Sequence, residues 1–194
     1  MPASDVPVSL LRLITACLAG DQEAITELVE RYRSPVFGLC FRMLGHRQDA
    51  EDVTQETFLR VVNNLNQWDQ QRAFEPWLFA IASNRCRTAL TKRARRPHLD
   101  LFVETTSTAD AKQRERNALD EELALALNQL RTEHRLAFTL FHHHGKSYLQ
   151  IAETLNCPVG TAKTWVHRAR RTLIHRLHTR KVIPETHHHA LPRF

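Results

Sequence analysis

Glycine is scarce: the 194-residue chain holds five, well below the roughly 7% usual in globular proteins. No run of alternating apolar and polar residues lies between glycine turns, which argues against a sandwich or barrel and leaves helix as the default. Long hydrophobic runs are missing too. The longest, Val8 to Ala19, is broken by Arg12 and falls short of the roughly 18 residues that cross a bilayer. Nor does a basic cluster precede an apolar run and a small-residue cleavage site. These absences predict a cytoplasmic chain with no membrane insertion.

Cysteine occurs four times, at Cys17, Cys40, Cys86 and Cys157, with no CxxC spacing. Neither a disulfide framework nor a zinc ribbon is indicated, and buried or idle thiols are expected. Acidic residues are the minority: 27 Lys+Arg against 21 Asp+Glu give +6, which admits a polyanionic partner. Twelve histidines include the triplets His142 to His144 and His187 to His189. Adjacent helical residues diverge, whereas metal ligands on a helix favour spacings of three or four. No metal and no cofactor are expected.

Apolar spacing organises the rest. Asp21 is a candidate N-cap for one long helix running to Gly45, bent near Pro35. A second helix begins around Asp49, with Ala50, Val53, Thr57, Val61 and Leu65 facing inward. Its other face gathers Asp52, Gln55, Glu56 and Leu59, a mixed acidic and apolar patch suited to docking on another helix. Asn63 to Ala73 reads as a polar loop. The helix after it carries Trp77, Leu78, Ile81, Ala82 and Cys86, then turns basic at Arg85, Arg87, Lys92, Arg93, Arg95 and Arg96.

Pro97 stops that helix, and a Thr-, Ser- and Ala-rich stretch predicts a flexible linker over 97–117. Beyond it Leu119, Leu123, Leu127 and Leu130 make a stripe, and Thr132 is a candidate cap for the next helix. Ser147 and Gln150 form a capping box, Asn156 suits a left-handed close, and Pro158 suits the first turn of a last helix. In that helix Val159, Ala162, Val166, Ala169, Leu173 and Leu177 point inward. Gly160, Thr161, Thr164, His167, Arg168, Arg171 and His175 share the opposite face. This is a helix-turn-helix pattern, whose second helix enters the major groove. The tail over 181–194 is expected to be disordered.

The fold class is therefore all-α: two small helical domains joined by a flexible linker, the second a three- to four-helix domain with a helix-turn-helix. Together the halves resemble the extracytoplasmic-function subfamily of bacterial RNA polymerase sigma factors. The resemblance rests on AGD at Ala19 to Asp21, DAEDVTQETFLRV from Asp49 to Val61, FEPWLFAIASN from Phe74 to Asn84, and SYLQIAETLNCPVGTAKTWVHRAR from Ser147 to Arg170. It implies a domain over 1–96 that binds core RNA polymerase and melts the start-proximal promoter element. It also implies a domain over 118–180 that reads the upstream element, and admits an anti-sigma factor as a partner.

By that resemblance Asp52, Gln55, Glu56 and Leu59 meet the polymerase. Asn64, Asn66, Gln67, Trp68, Arg85, Arg87, Lys92 and Arg93 serve the start-proximal DNA element, with the loop around Trp68 capturing a flipped base. Phe74 and Trp77 are expected in the core and Trp68 at the surface. Thr161, Lys163, Thr164, His167, Arg168 and Arg171 serve the upstream element. Three positions depart from the family: Thr88 and Thr91 replace a common Asp and Arg, and Trp165 replaces a common Arg. Two other classes compete. A stand-alone helix-turn-helix regulator explains the second half but leaves the basic helix without a task. A metal-dependent nuclease would use Asp49, Asp52 and Glu56, yet no phosphate loop or nucleophile and base accompany them.

Overall fold

Asp21 starts the longest helix because its carboxylate accepts the backbone N–H groups of Glu23 and Ala24, two donors that otherwise lack partners. In a computed structural model that describes residues 7–95 and 122–180, this helix, α2, spans Gln22–Leu44. Pro35 lies within it and removes one internal hydrogen bond. Gly45, at φ 70°, closes it with its N–H on the Phe41 carbonyl, a left-handed turn that glycine adopts without strain.

Helix α1 (Val8–Leu18) precedes it, and α3 (Arg47–Asn63) follows after His46. A 3₁₀ turn over Leu65–Gln67 leads to α4 (Phe74–Ala94). These helices belong to the first of the two compact units into which the chain divides. Helices α2, α3 and α4 contact one another, and α1 lies on α2 and the 3₁₀ turn. The inward stripe of α3 is buried as expected: Ala50, Val53, Thr57, Val61 and then Leu65. Leu28, Val36, Leu39 and Met43 of α2 and Leu78, Phe79 and Ala82 of α4 complete this core. The polar loop expected over 63–73 is shorter and more ordered, since Asn63 ends α3 and Asp69 Oδ1 accepts the Gln71 N–H.

In the second unit, 122–128 is helical (α5), followed by α6 (Thr132–His142), α7 (Tyr148–Leu155) and α8 (Val159–Thr179). Leu127 and Leu130 are buried with Ala126, Ala169 and Leu173. Thr132 is the first residue of α6; the cap position belongs to Arg131, which makes no side-chain capping bond. The capping box forms as read: the Ser147 N–H donates to Gln150 Oε1 at 2.9 Å and the Gln150 N–H to Ser147 Oγ at 3.2 Å. Asn156 takes φ 50° and ends α7, and Pro158 occupies the N-cap of α8. Val159 was expected inside but is 44% exposed, because the first turn of α8 extends past the core that Ala162, Val166, Ala169 and Leu173 fill. Among the described residues there is no strand. Leu119, the linker over 97–117 and the tail over 181–194 lie outside the described residues.

Candidate functional site

The outer face of α3 follows from its helical period. With Val53, Thr54, Thr57 and Phe58 turned inward, Asp52, Gln55, Glu56 and Leu59 are all exposed, Leu59 to 66%. A single exposed leucine is ordinary on a helix exterior; here it gives an otherwise polar face one apolar contact point. Glu56 has a second attachment. Its carboxylate accepts Nε of Arg85 from α4 at 3.0 Å, and the Arg85 terminal nitrogen closes on the same oxygen. The Arg85 side chain is 16% exposed, so one residue assigned to polymerase and one assigned to DNA are joined in an ion pair.

Beyond Glu56 the end of α3, the 3₁₀ turn and the stretch of α4 from Trp77 to Thr88 line an open pocket of about 360 Å³. Trp77 and Ile81 supply its apolar surface, Asn64, Gln67, Asn84 and Thr88 its hydrogen-bonding groups, and Arg60 and Arg85 its charge. Gln67 Nε2 donates to Asn64 Oδ1 at 3.1 Å, which holds the two amides together. An aromatic surface beside paired amides and two guanidiniums is what an unpaired nucleotide needs: a stacking partner, edge recognition and phosphate neutralisation.

Trp68 is not part of that surface. It is 4% exposed, its ring edge-on to Phe74 at 5.3 Å and 88°. Phe74, buried as expected, also meets Tyr32 at 5.3 Å and Trp77 at 5.6 Å. The 3₁₀ turn folds Trp68 back onto this cluster, so the surface tryptophan of the sequence reading is a core residue, while Trp77 is half-buried and lines the pocket. Arg60 and Ile81 were missed. Their signal was helical spacing, since Trp77, Ile81, Arg85 and Thr88 follow at steps of four, four and three, and Arg60 lies four residues past Glu56.

The remaining residues of the 3₁₀ turn and α4 have divided roles. Asn66 and Gln67 are exposed, as is Lys92. Arg87 donates to Asn84 Oδ1 at 2.8 Å. Arg93 is occupied by the fold: its Nη1 donates to the Leu44 carbonyl at 3.1 Å and lies 3.8 Å from Asp49. A cation there satisfies the end of α2 and its dipole, so Arg93 is turned toward structure more than toward a ligand.

On α8, Lys163, Thr164, His167, Arg168 and Arg171 are exposed and Thr161 is half-buried, all on the side away from Ala162, Val166 and Ala169. Thr164 Oγ1 donates to the Gly160 carbonyl at 2.8 Å. Trp165 is half-buried at the edge of this face. Burial first, then Arg131 and Arg168, push His134 of α6 below its ordinary pKa. Arg168 of α8 thus adds to the positive charge that Arg131 already places at the start of α6.

A capping-boxed short helix, a left-handed turn and a second helix with a basic outer face define a DNA-binding module, here on a chain whose other unit bears an aromatic, cationic pocket. The Sigma-70 region 2 family matches residues 28–96 and the Sigma-70, region 4 family residues 120–173. The ECF RNA polymerase sigma factor SigW of Bacillus subtilis is 34% identical over 166 residues, covering 79% of this chain and 89% of that one. The RNA polymerase sigma-H factor of Pseudomonas aeruginosa is 32% identical over 174 residues, covering 84% and 90%. Among solved structures, CnrH in complex with the cytosolic domain of CnrY aligns with a TM-score of 0.65 at 27% identity, over 86% of this chain and 96% of that one. The sigma factor RpoE of Bartonella quintana, in complex with the anti-sigma factor NepR, shares the fold at a TM-score of 0.62 and 22% identity, over 79% and 96%. The chain belongs to the extracytoplasmic-function subfamily of sigma-70 factors. It is a sigma factor, the dissociable subunit that directs RNA polymerase to promoters.

Proposed function

We propose that the unit over 1–96 docks on core RNA polymerase through Asp52, Gln55, Glu56 and Leu59 and holds an unpaired promoter base in the Trp77 pocket. The unit over 118–180 reads the upstream element through α8, and 97–117 links them. The observation that carries this reading is on α3 and α4: an exposed acidic and apolar face, and one turn further the aromatic pocket rimmed by Arg60 and Arg85. Asn64, Asn66, Gln67, Arg85, Arg87 and Lys92 remain start-proximal DNA residues, Trp77 takes the stacking role in place of Trp68, and Arg93 acts indirectly by anchoring α4. The chain supplies binding energy in the cytoplasm while the polymerase does the chemistry. An anti-sigma factor is a further proposed partner, since both solved structures named above are complexes with a second protein.

Two of the three carboxylates of the nuclease reading are engaged by arginines. Glu56 is paired with Arg85 and Asp49 lies by Arg93, and among the described residues no three His, Cys, Asp or Glu side chains gather around a common point.

Asp52→Arg tests the docking face. Asp52 is exposed and outside the ion pairs just described, so the variant should keep wild-type helicity and melting while its affinity for core polymerase falls at least about tenfold, or about 1.4 kcal/mol. Glu56→Arg is a poorer probe because it would set two cations together at Arg85. Unchanged affinity in Asp52→Arg would remove this face from the interface.

For the reader helix, Arg168→Ala in the holoenzyme should cost about 1 to 3 kcal/mol on promoters bearing the preferred base at one upstream position, and little on those already lacking it. Transcription across an upstream-element library measures this. A uniform loss across all variants would make Arg168 a phosphate contact, without a part in base recognition.

A further inference from the structure

Two thiols meet inside the first unit, and neither docking nor DNA reading uses them. Cys40 of α2 and Cys86 of α4 are both wholly buried, with the Cys86 thiol donating to Cys40 Sγ across 3.7 Å. None of the four cysteines is in a disulfide. Disulfide sulfurs lie about 2.0 Å apart, so bridging asks for about 1.7 Å of approach, a distance that side-chain rotation and a small helix shift supply. The hydrogen bond from Cys86 holds the Cys40 thiol below its ordinary pKa against the opposing effect of burial, with Thr54 of α3 adding to the lowering. Buried Cys17 of α1 goes the other way, pushed up by burial and then by Asp21. Thiolate character favours oxidation, and an adjacent thiol resolves the product.

We propose that Cys40 and Cys86 form a redox-modification site, in which a hydroperoxide oxidises the pair to a disulfide that ties α2 to α4. The Cys40 thiolate attacks a peroxide oxygen, the O–O bond breaks, and the leaving oxygen departs as water or alcohol once protonated, leaving a sulfenic acid. Cys86 Sγ then attacks Cys40 Sγ. The S–O bond breaks, and hydroxide leaves as water with the Cys86 proton. Two thiols lose two electrons and the peroxide gains them. Because both sulfurs are enclosed, peroxide reaches Cys40 only through local opening of the unit, so the reaction is slow in the native chain and faster in mild denaturant. The link closes a loop between residues 46 apart in sequence. It lies in the core, away from the exposed face of α3, and restricts the unfolded chain.

The test uses the full chain with hydrogen peroxide, followed by non-reducing peptide mapping, thiol titration in denaturant and melting. Wild type should yield a Cys40–Cys86 linked peptide pair, lose two titratable thiols, and melt about 10 °C higher under non-reducing conditions. Dithiothreitol should reverse all three. Cys86→Ala, checked for native helicity first, should take Cys40 on to sulfinic acid with no rise in melting temperature; mapping of the wild type decides if that variant does not fold. The proposal is overturned if Cys40 and Cys86 stay reduced in mild denaturant, where the unit opens locally, at a peroxide dose that oxidises the less buried Cys157. A Cys40 sulfinic acid beside an unmodified Cys86 in wild type, or an unchanged melting temperature, overturns it as well.

Discussion

Trp68→Ala is expected to destabilise the first unit by about 3 to 5 kcal/mol, the usual cost of emptying a buried aromatic site. The indole is enclosed with its edge on Phe74, and Phe74 in turn supports Tyr32 and Trp77. Removing it opens a void beneath the 3₁₀ turn that the tight cluster cannot collapse to fill. The indole N–H finds no hydrogen-bond partner among the described residues, so Trp68→Phe should cost far less: it keeps an aromatic edge and drops an unsatisfied donor. Urea titrations of the two variants check this. A Trp68→Ala chain as stable as wild type, yet slow to open promoters, would put the residue back at the DNA.

Trp77 carries the opposite expectation. Trp77→Leu retains apolar contact with Phe74 but loses the broad ring face in the pocket. Stacking of a base on an aromatic side chain is worth about 1 to 3 kcal/mol, so open-complex formation on duplex promoters should slow roughly 5- to 150-fold. On a premelted promoter the strands are already apart and most of the defect should vanish. Assembly with core polymerase should be unaltered, because Trp77 lies outside the exposed face of α3. Equal rates on duplex DNA for wild type, Trp77→Leu and Arg85→Gln would exclude the pocket as the capture site.

The two tryptophans show where reading a sequence stops. Helix ends were legible because capping is local: Asp21, Gly45, the Ser147–Gln150 box and Asn156 each act within about four residues of themselves. The inward stripe of α3 was legible by period. Trp68 was not, since Asn64, Asn66, Gln67 and Asp69 around it signal solvent, while its burial depends on a turn that returns the chain to Phe74. Distance in sequence hid the cation partners as well. Arg85 finds Glu56 across 29 residues and Arg93 finds Leu44 across 49, so a run of basic residues looked like one DNA face when part of it secures helix to helix.

The Glu56–Arg85 pair has a thermodynamic consequence. On the proposed reading, a Glu56 carboxylate drawn to the polymerase gives up part of its hold on Arg85, and an Arg85 drawn to a phosphate frees Glu56. By reciprocity, whatever free energy assembly adds to strand capture, strand capture returns to assembly. On that reading, the free chain should be a poorer single-strand binder than the same chain on the enzyme, and a sigma factor captured by melted DNA should be slower to leave its polymerase.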